Sequence, residues 1–260
     1  MTIFNTTMGV GRASLRVLRA RPRLLLFPLL AIAVNVALVH MLLPGLDDPQ
    51  DGVTLALVYF LGHGVAVFFT AALTCEALRA LRGQPTSLAG GLGCAASRIR
   101  AIAEYAAVES TVGLVLRMVA RILPSPVGRW LRMLLADSWS LFSYLGPPVL
   151  VAERRGGYDS LRRSSELMRQ TWGETAAAEL GLRLLSIHLV VALIVICLIL
   201  ARLIDEPFAV AIVVALFLAG VMVITTLQTI YRAALYIFAA EGVVPDDFNT
   251  PEMHAVWRMK

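Results

Sequence analysis

LLLFPLLAIAVNVALVHMLL, Leu24 to Leu43, is an apolar run whose only polar members are Asn35 and His40. A hydrocarbon core ~30 Å thick takes roughly 20 helical residues at about 1.5 Å each, so this run is long enough to cross a bilayer. Arg12, Arg16, Arg19, Arg21 and Arg23 precede it, and Asp47, Asp48 and Asp51 follow without a base among them. That gradient orients a first span with its N-terminus in the cytoplasm. The run is too long for the hydrophobic region of a cleaved signal peptide, and it reads as an uncleaved span.

The rest of the chain agrees. Of 260 residues 58% are hydrophobic and 16% charged, and the mean hydropathy is +0.75. A soluble domain carries roughly 45–50% apolar and about 25% charged residues, so this chain lacks the polar surface to cover itself in water. Further apolar runs lie at Val53–Leu73, Ala101–Ile122, Met133–Val151, Ala176–Leu203 and Phe208–Ala240. They are continuous, without the alternation of a barrel strand, so helices are expected. The expected fold is an all-α membrane protein with six transmembrane helices.

Arginine placement orients the set. Arg79, Arg82, Arg98 and Arg100 lie between the second and third spans; Arg154, Arg155, Arg162, Arg163 and Arg169 lie between the fourth and fifth; Arg258 and Lys260 close the chain. The opposite side holds Arg129 and Arg132, with Arg121 and Arg202 at helix ends. The balance places both termini in the cytoplasm, and the loop at Arg129 is the one connection that pulls the other way. The net charge of +5 is thus accounted for by topology, and nucleic acid is not an expected partner.

Each odd-numbered span follows a short amphipathic stretch: Gly11–Arg21, Ser87–Arg100 and Asp159–Gln170. Thr86 and Asp159 are the expected N-caps of the second and third. In the third, Leu161, Leu167 and Met168 are expected to face lipid and Arg162, Arg163, Glu166 and Arg169 water, as interfacial helices do. Ser14-Leu15, Ser87-Leu88 and Ser160-Leu161 recur at 73-residue spacing, as do Arg82-Gly83 and Arg155-Gly156. The expected unit is therefore an interfacial helix plus a transmembrane hairpin, repeated three times (about 14–86, 87–159 and 160–245). Residues 1–245 make one transmembrane domain and 246–260 a short cytoplasmic tail.

Polar residues inside the spans are the functional candidates, because an ionisable group there costs about 2.5–3.5 kcal/mol on insertion scales. Asn35, His63, Glu109 and His188 fall at similar depth and could line an aqueous path with Glu109 as the proton or cation site. Ser140, Ser143, Thr225, Thr226 and Gln228 share that level. Hydrogen bonding between helices is the plainer and preferred account of such a layer. Arg117 and Asp137, equidistant from the turn near Pro124, are the candidate buried ion pair, and Glu104 is placed to pair with Arg100. Pro28 and Pro147-Pro148 should kink or break their helices.

Cys75, Cys94 and Cys197 have no metal-ligand or redox spacing and read as small buried hydrophobes. No Walker loop, GxSxG, HExxH or paired carboxylates occur in a soluble segment. No cofactor, metal or catalytic residue is expected, and the chain is not expected to be an enzyme.

Three stretches carry a resemblance: Ser14-Leu-Arg-Val-Leu-Arg with Leu24-Leu-Leu-Phe-Pro28, Ser165-Glu-Leu-Met-Arg-Gln-Thr-Trp-Gly-Glu174, and Tyr231-Arg-Ala-Ala-Leu-Tyr236 running into Ala240-Glu-Gly-Val-Val-Pro245. They resemble an uncharacterised family of six-span bacterial integral membrane proteins, a domain of unknown function. The plan also looks like the membrane domain of some glycerophosphodiester phosphodiesterases, without their catalytic domain. The resemblance implies a fold and a bacterial inner-membrane address, and no activity. The expected role is noncatalytic, organising lipids through Arg16, Arg19, Arg162, Arg163 and Arg169, or organising a membrane protein partner or a second copy. The alternatives are a small transporter or channel around Glu109 and, behind it, an intramembrane enzyme.

Overall fold

The computed structural model describes residues 2–42, 52–122, 139–140, 142–171 and 207–249. These contain eight α-helices and no strand: α1 Thr2–Ala20, α2 Leu26–Leu42, α3 Gly52–Leu81, α4 Leu88–Ala96, α5 Ile99–Ile122, α6 Gly146–Ala152, α7 Gly157–Thr171 and α8 Pro207–Glu241. Short 3-10 turns, Pro22–Leu25 and Asp246–Phe248, precede α2 and follow α8.

Three helical stretches are long and apolar enough to cross a membrane: Pro22–Leu42, Val53–Leu81 and Val213–Glu241. The expectation of six spans is thus met at three among the described residues. α5 is long enough but too charged, since every 18-residue stretch of it contains three or more of Arg100, Glu104, Glu109, Arg117 and Arg121. The fifth expected span, and most of the fourth before Gly146, lie outside the described residues.

The prolines meet expectation only in part: Pro28 does not interrupt its helix, whereas Pro147 and Pro148 open a new one. Pro22 opens a 3-10 turn, and Pro28 stands in the first turn of α2, where its missing N–H breaks no interior hydrogen bond. Pro147 and Pro148 sit in the first turn of α6, after a turn at Tyr144-Leu145.

The core lies toward one end. Residues 71–78 of α3 and Ile230–Phe238 of α8 are buried nearly throughout, with Ile102, Tyr105 and Ala106 of α5 and Val149–Val151 of α6. Farther along the same helices, Leu55, Leu57 and Leu61, Leu114, Val115 and Met118, and Val214 and Leu216 are exposed, as are Leu29, Val36 and Met41 of α2. Apolar side chains exposed on four helices form a surface suited to lipid. α3 is the hub, touching α2, α4, α5, α6 and α8.

The amphipathic stretches depart from expectation. α7 buries Leu161, Leu167 and Met168 against protein instead of turning them to lipid, because α5 and α6 cover that face. α1 likewise buries Val10, Ala13, Val17 and Leu18, packing on α8 and on the turn at Asp246–Phe248. These helices fold onto the end of the bundle as a cap. Gly157 sets the closest approach: a Cβ there would stand 2.3 Å from the Tyr105 amide nitrogen and 2.7 Å from the Ala101 carbonyl oxygen.

The caps differ too. Ser87, not Thr86, caps α4 by accepting from Gly90 N at 2.9 Å. α7 starts two residues before Asp159, and its Gly157 amide donates to Glu104 Oε2 at 2.9 Å. Glu104 is therefore bound to a helix N-terminus and not to Arg100. Ser164, fully buried in α7, accepts from Leu145 N at the start of α6.

Cys75 and Cys94 were expected as separate buried thiols. They are instead bonded to each other, joining α3 to α4 across a Cα–Cα distance of 6.5 Å. Nineteen residues of chain conceal that proximity; the turn at Arg82-Gly83 brings α4 back along α3. Cys197 lies outside the described residues.

Candidate functional site

The α3–α5 crossing gathers a polar cluster inside the apolar stretch. His63 Nε2 on α3 lies 3.4 Å from Glu109 Oε2 on α5, with side chains 31% and 22% exposed. The distance is that of an ion pair, but Nε2 is buried without an aligned hydrogen bond. Tyr59, one turn before His63, stacks on its ring at 6.3 Å. Tyr105, one turn before Glu109, donates to Glu109 Oε1 at 3.0 Å, and its hydroxyl lies 3.3 Å from the Ser143 carbonyl oxygen. Arg232 of α8 stacks on Tyr144 at 4.7 Å, with its Nε buried and without a hydrogen-bond partner. The arrangement holds one carboxylate between a histidine and a phenol, which is suited to keeping or passing a proton.

Of the four midplane candidates, His63 and Glu109 come together. Asn35 packs at the α2–α3 seam, its Oδ1 2.9 Å from where a Cβ on Gly62 would stand, while its Nδ2 donates to Ala31 O. It lines a separate crevice of about 320 Å³ with Thr70, Thr225 and Thr229. His188 lies outside the described residues. The hydroxyls do not bridge helices: Ser110, Thr111, Thr225 and Thr226 each donate to the carbonyl four residues back in their own helix. Of the ion pair expected between Arg117 and Asp137, Asp137 and the Arg117 side chain lie outside the described residues. Among the described residues no three His, Cys, Asp or Glu gather as a metal shell.

The capped end of the bundle is rich in arginine, and much of it is already engaged. Arg16 donates to Asp247 O at 2.8 Å, and Arg82 pairs with Glu241, tying the ends of α3 and α8. Arg21 reaches Gln84 O. Arg162 pairs with Glu166 at 3.2 Å, and Arg163 with Glu153 at 3.3 Å and Glu166 at 3.7 Å. Arg155 bonds Glu153 at 2.6 Å, which holds its guanidinium above the ordinary arginine range. Of the five arginines expected to contact anionic lipid, Arg19 and Arg169 are exposed with no internal partner among the described residues, whereas Arg16, Arg162 and Arg163 are drawn into internal bonds.

The sequence pattern does not flag Glu76. Its side chain is fully buried in α3, accepting from Arg79 Nη1 at 3.0 Å and from the Ser87 amide at 2.6 Å. It thereby holds the start of α4 against α3. A carboxylate one turn before Arg79 at the end of an apolar run is the signal that was present. Tyr105 carries a comparable signal in its i,i+4 spacing to Glu109. Arg232 falls inside the Arg-Ala-Ala-Leu-Tyr block, but its position over Tyr144 comes from packing between distant elements.

Residues 50–245 match the model of a family of unknown function (DUF6159). No curated protein and no solved structure matches the chain.

Proposed function

The chain belongs to DUF6159, a family of unknown function, and on its own geometry we propose that it is a noncatalytic membrane protein that binds anionic lipid head groups at its arginine-rich end. The observation that carries this reading is the cap. Amphipathic helices α1 and α7 pack their apolar faces into protein and leave Arg12, Arg19, Arg23, Arg100, Arg154 and Arg169 exposed at one end, beside helices whose apolar flanks are bare. A basic residue near an anionic surface contributes about 1 kcal/mol of attraction.

The reading includes six spans in three repeats, with both termini at the cytoplasmic face of a bacterial inner membrane. Support comes from the contact of α1 with the turn at Asp246–Phe248, which puts the two ends of the described chain together. A left-handed residue also follows α3, α6 and α8 alike, at Gly83, Arg154 and Gly242. Phosphatidylglycerol retention in mixed phosphatidylcholine nanodiscs, read by native mass spectrometry, tests the reading. Charge reversal at Arg19 and Arg169 together is expected to lower retention roughly tenfold. Equal retention by the wild type and this variant would reject it.

A second reading, a proton- or ion-coupled carrier, draws on the His63–Glu109–Tyr105 cluster, in which His63 and Glu109 are part-exposed and Tyr105 is buried. It expects Glu109→Gln to abolish a proton-driven flux in proteoliposomes while the protein stays folded. Absence of flux from the wild type under any imposed gradient removes this reading.

A further inference from the structure

The loop before α5 and the loop before α7 line an open cavity of about 670 Å³, with Arg98, Ile99, Arg100, Glu104, Arg154 and Arg155 among its walls. Four guanidinium groups meet one carboxylate there, and that carboxylate is occupied: Glu104 Oε2 accepts from Gly157 N. Arg155 is bonded to Glu153, outside the lining. Arg98, Arg100 and Arg154 are left without a carboxylate partner among the described residues.

We propose that this cavity is a binding site for a phosphate oxyanion, and that the phosphate belongs to the head group of an anionic membrane lipid. The proposal rests on the lipid-binding reading above and gives it an address. Arginine presents a planar fork that pairs with phosphate oxygens two at a time, which makes a cluster of guanidinium groups specific for this chemistry. Arg98 is half held: its Nη1 donates to Cys94 O at 2.8 Å, while its Nε is buried with no partner. Burial and the charge of Arg154 both hold the Arg98 guanidinium below the ordinary arginine range, and an anion between the two relieves that repulsion.

Arg154 is also the one described non-glycine residue with positive φ, at 54°. The same left-handed turn follows α3 at Gly83 and α8 at Gly242; here it ends α6 and carries Arg154 into the loop that lines the pocket. Ile99 decides between lipid and free phosphate: it lines the cavity and is 53% exposed, so an apolar contact adjoins the basic one. A glycerophospholipid offers both an anionic and an apolar group; inorganic phosphate offers one.

The test uses the full chain in phosphatidylcholine nanodiscs with a defined fraction of phosphatidylglycerol. Arg100→Gln with Arg154→Gln is compared with Arg19→Gln with Arg169→Gln, and folding is monitored by thermal unfolding. The cavity variant is expected to retain phosphatidylglycerol roughly tenfold less than wild type, and the rim variant to lose less than that. Arg100→Gln alone alters an exposed side chain and carries the test if the double variant does not fold; it is expected to lose severalfold.

Wild-type retention in the cavity variants, with the rim variant still weakened, overturns the cavity and leaves the broader reading standing. No preference of the wild type for phosphatidylglycerol over phosphatidylcholine overturns both. A parallel calorimetric titration with inorganic phosphate and glycerol 3-phosphate separates the sources. Binding of either as tightly as the lipid, lost in the cavity variant, overturns the lipid assignment in favour of a free phosphate.

Discussion

Glu76 illustrates how one side chain can fix the relation of two helices. Its two oxygens are divided between Arg79 on its own helix and the Ser87 amide at the start of α4, and no water reaches it. Hydrogen bonds to a charged group contribute about 1.5–3 kcal/mol, and a buried partner left unmatched costs as much again. Glu76→Gln retains one acceptor but loses the charge that holds Arg79, so it should lower stability by about 2 kcal/mol. Thermal unfolding in detergent reads this, and an unchanged midpoint would mean the carboxylate is not the tie between α3 and α4. The pairing of His63 with Glu109 was approachable from the sequence because both are ionisable groups at matching depth in antiparallel spans. For Glu76 only the i,i+3 spacing to Arg79 was readable; its second partner is a backbone amide on a loop, which no side-chain pattern announces.

Among the elements, α7 shows where periodicity stops informing. Its apolar stripe at Leu161, Leu167 and Met168 is readable from residue spacing, and so is its arginine face. The stripe does not say whether lipid or protein covers it, since both are apolar. Contact with α5 and α6 decides, and Gly157 permits it by letting two backbones touch. Leu161, 1% exposed, then behaves as a core residue. Leu161→Ala should cost about 2–5 kcal/mol through the cavity it leaves, measured as loss of cooperative unfolding at a lowered midpoint. A cost below about 0.5 kcal/mol, the size of ordinary surface changes, would return the stripe to lipid.

Across the whole molecule, two observations constrain the topology from different directions. The proposed orientation, argued from the positive-inside rule, has the arginine-rich end in the cytoplasm. The Cys75–Cys94 bond lies at that same end, joining α3 to α4, and disulfides persist mainly in oxidising compartments. If the arginine end is cytoplasmic, glutathione keeps the two sulfurs as thiols in resting cells, and the bond forms on oxidation. A variant retaining only these two cysteines, from cells quenched with acid and then labelled with a maleimide polymer in denaturing detergent, is expected to shift by two adducts. Absence of a shift until a reductant is added would place that end outside and invert the orientation.

Residue order alone determines helical stretches long and apolar enough to cross a membrane, because length, apolarity and the scarcity of charge are local sums over consecutive residues. It also locates the amphipathic stretches and the ionisable groups within spans. Tertiary contact decides the rest: which carboxylate meets which amide, that α1 and α7 cap the bundle, and which arginines around the cavity before α5 and α7 lack a carboxylate partner among the described residues. Those outcomes depend on distances between residues far apart along the chain. Such distances follow from how whole helices cross, and no local composition encodes them.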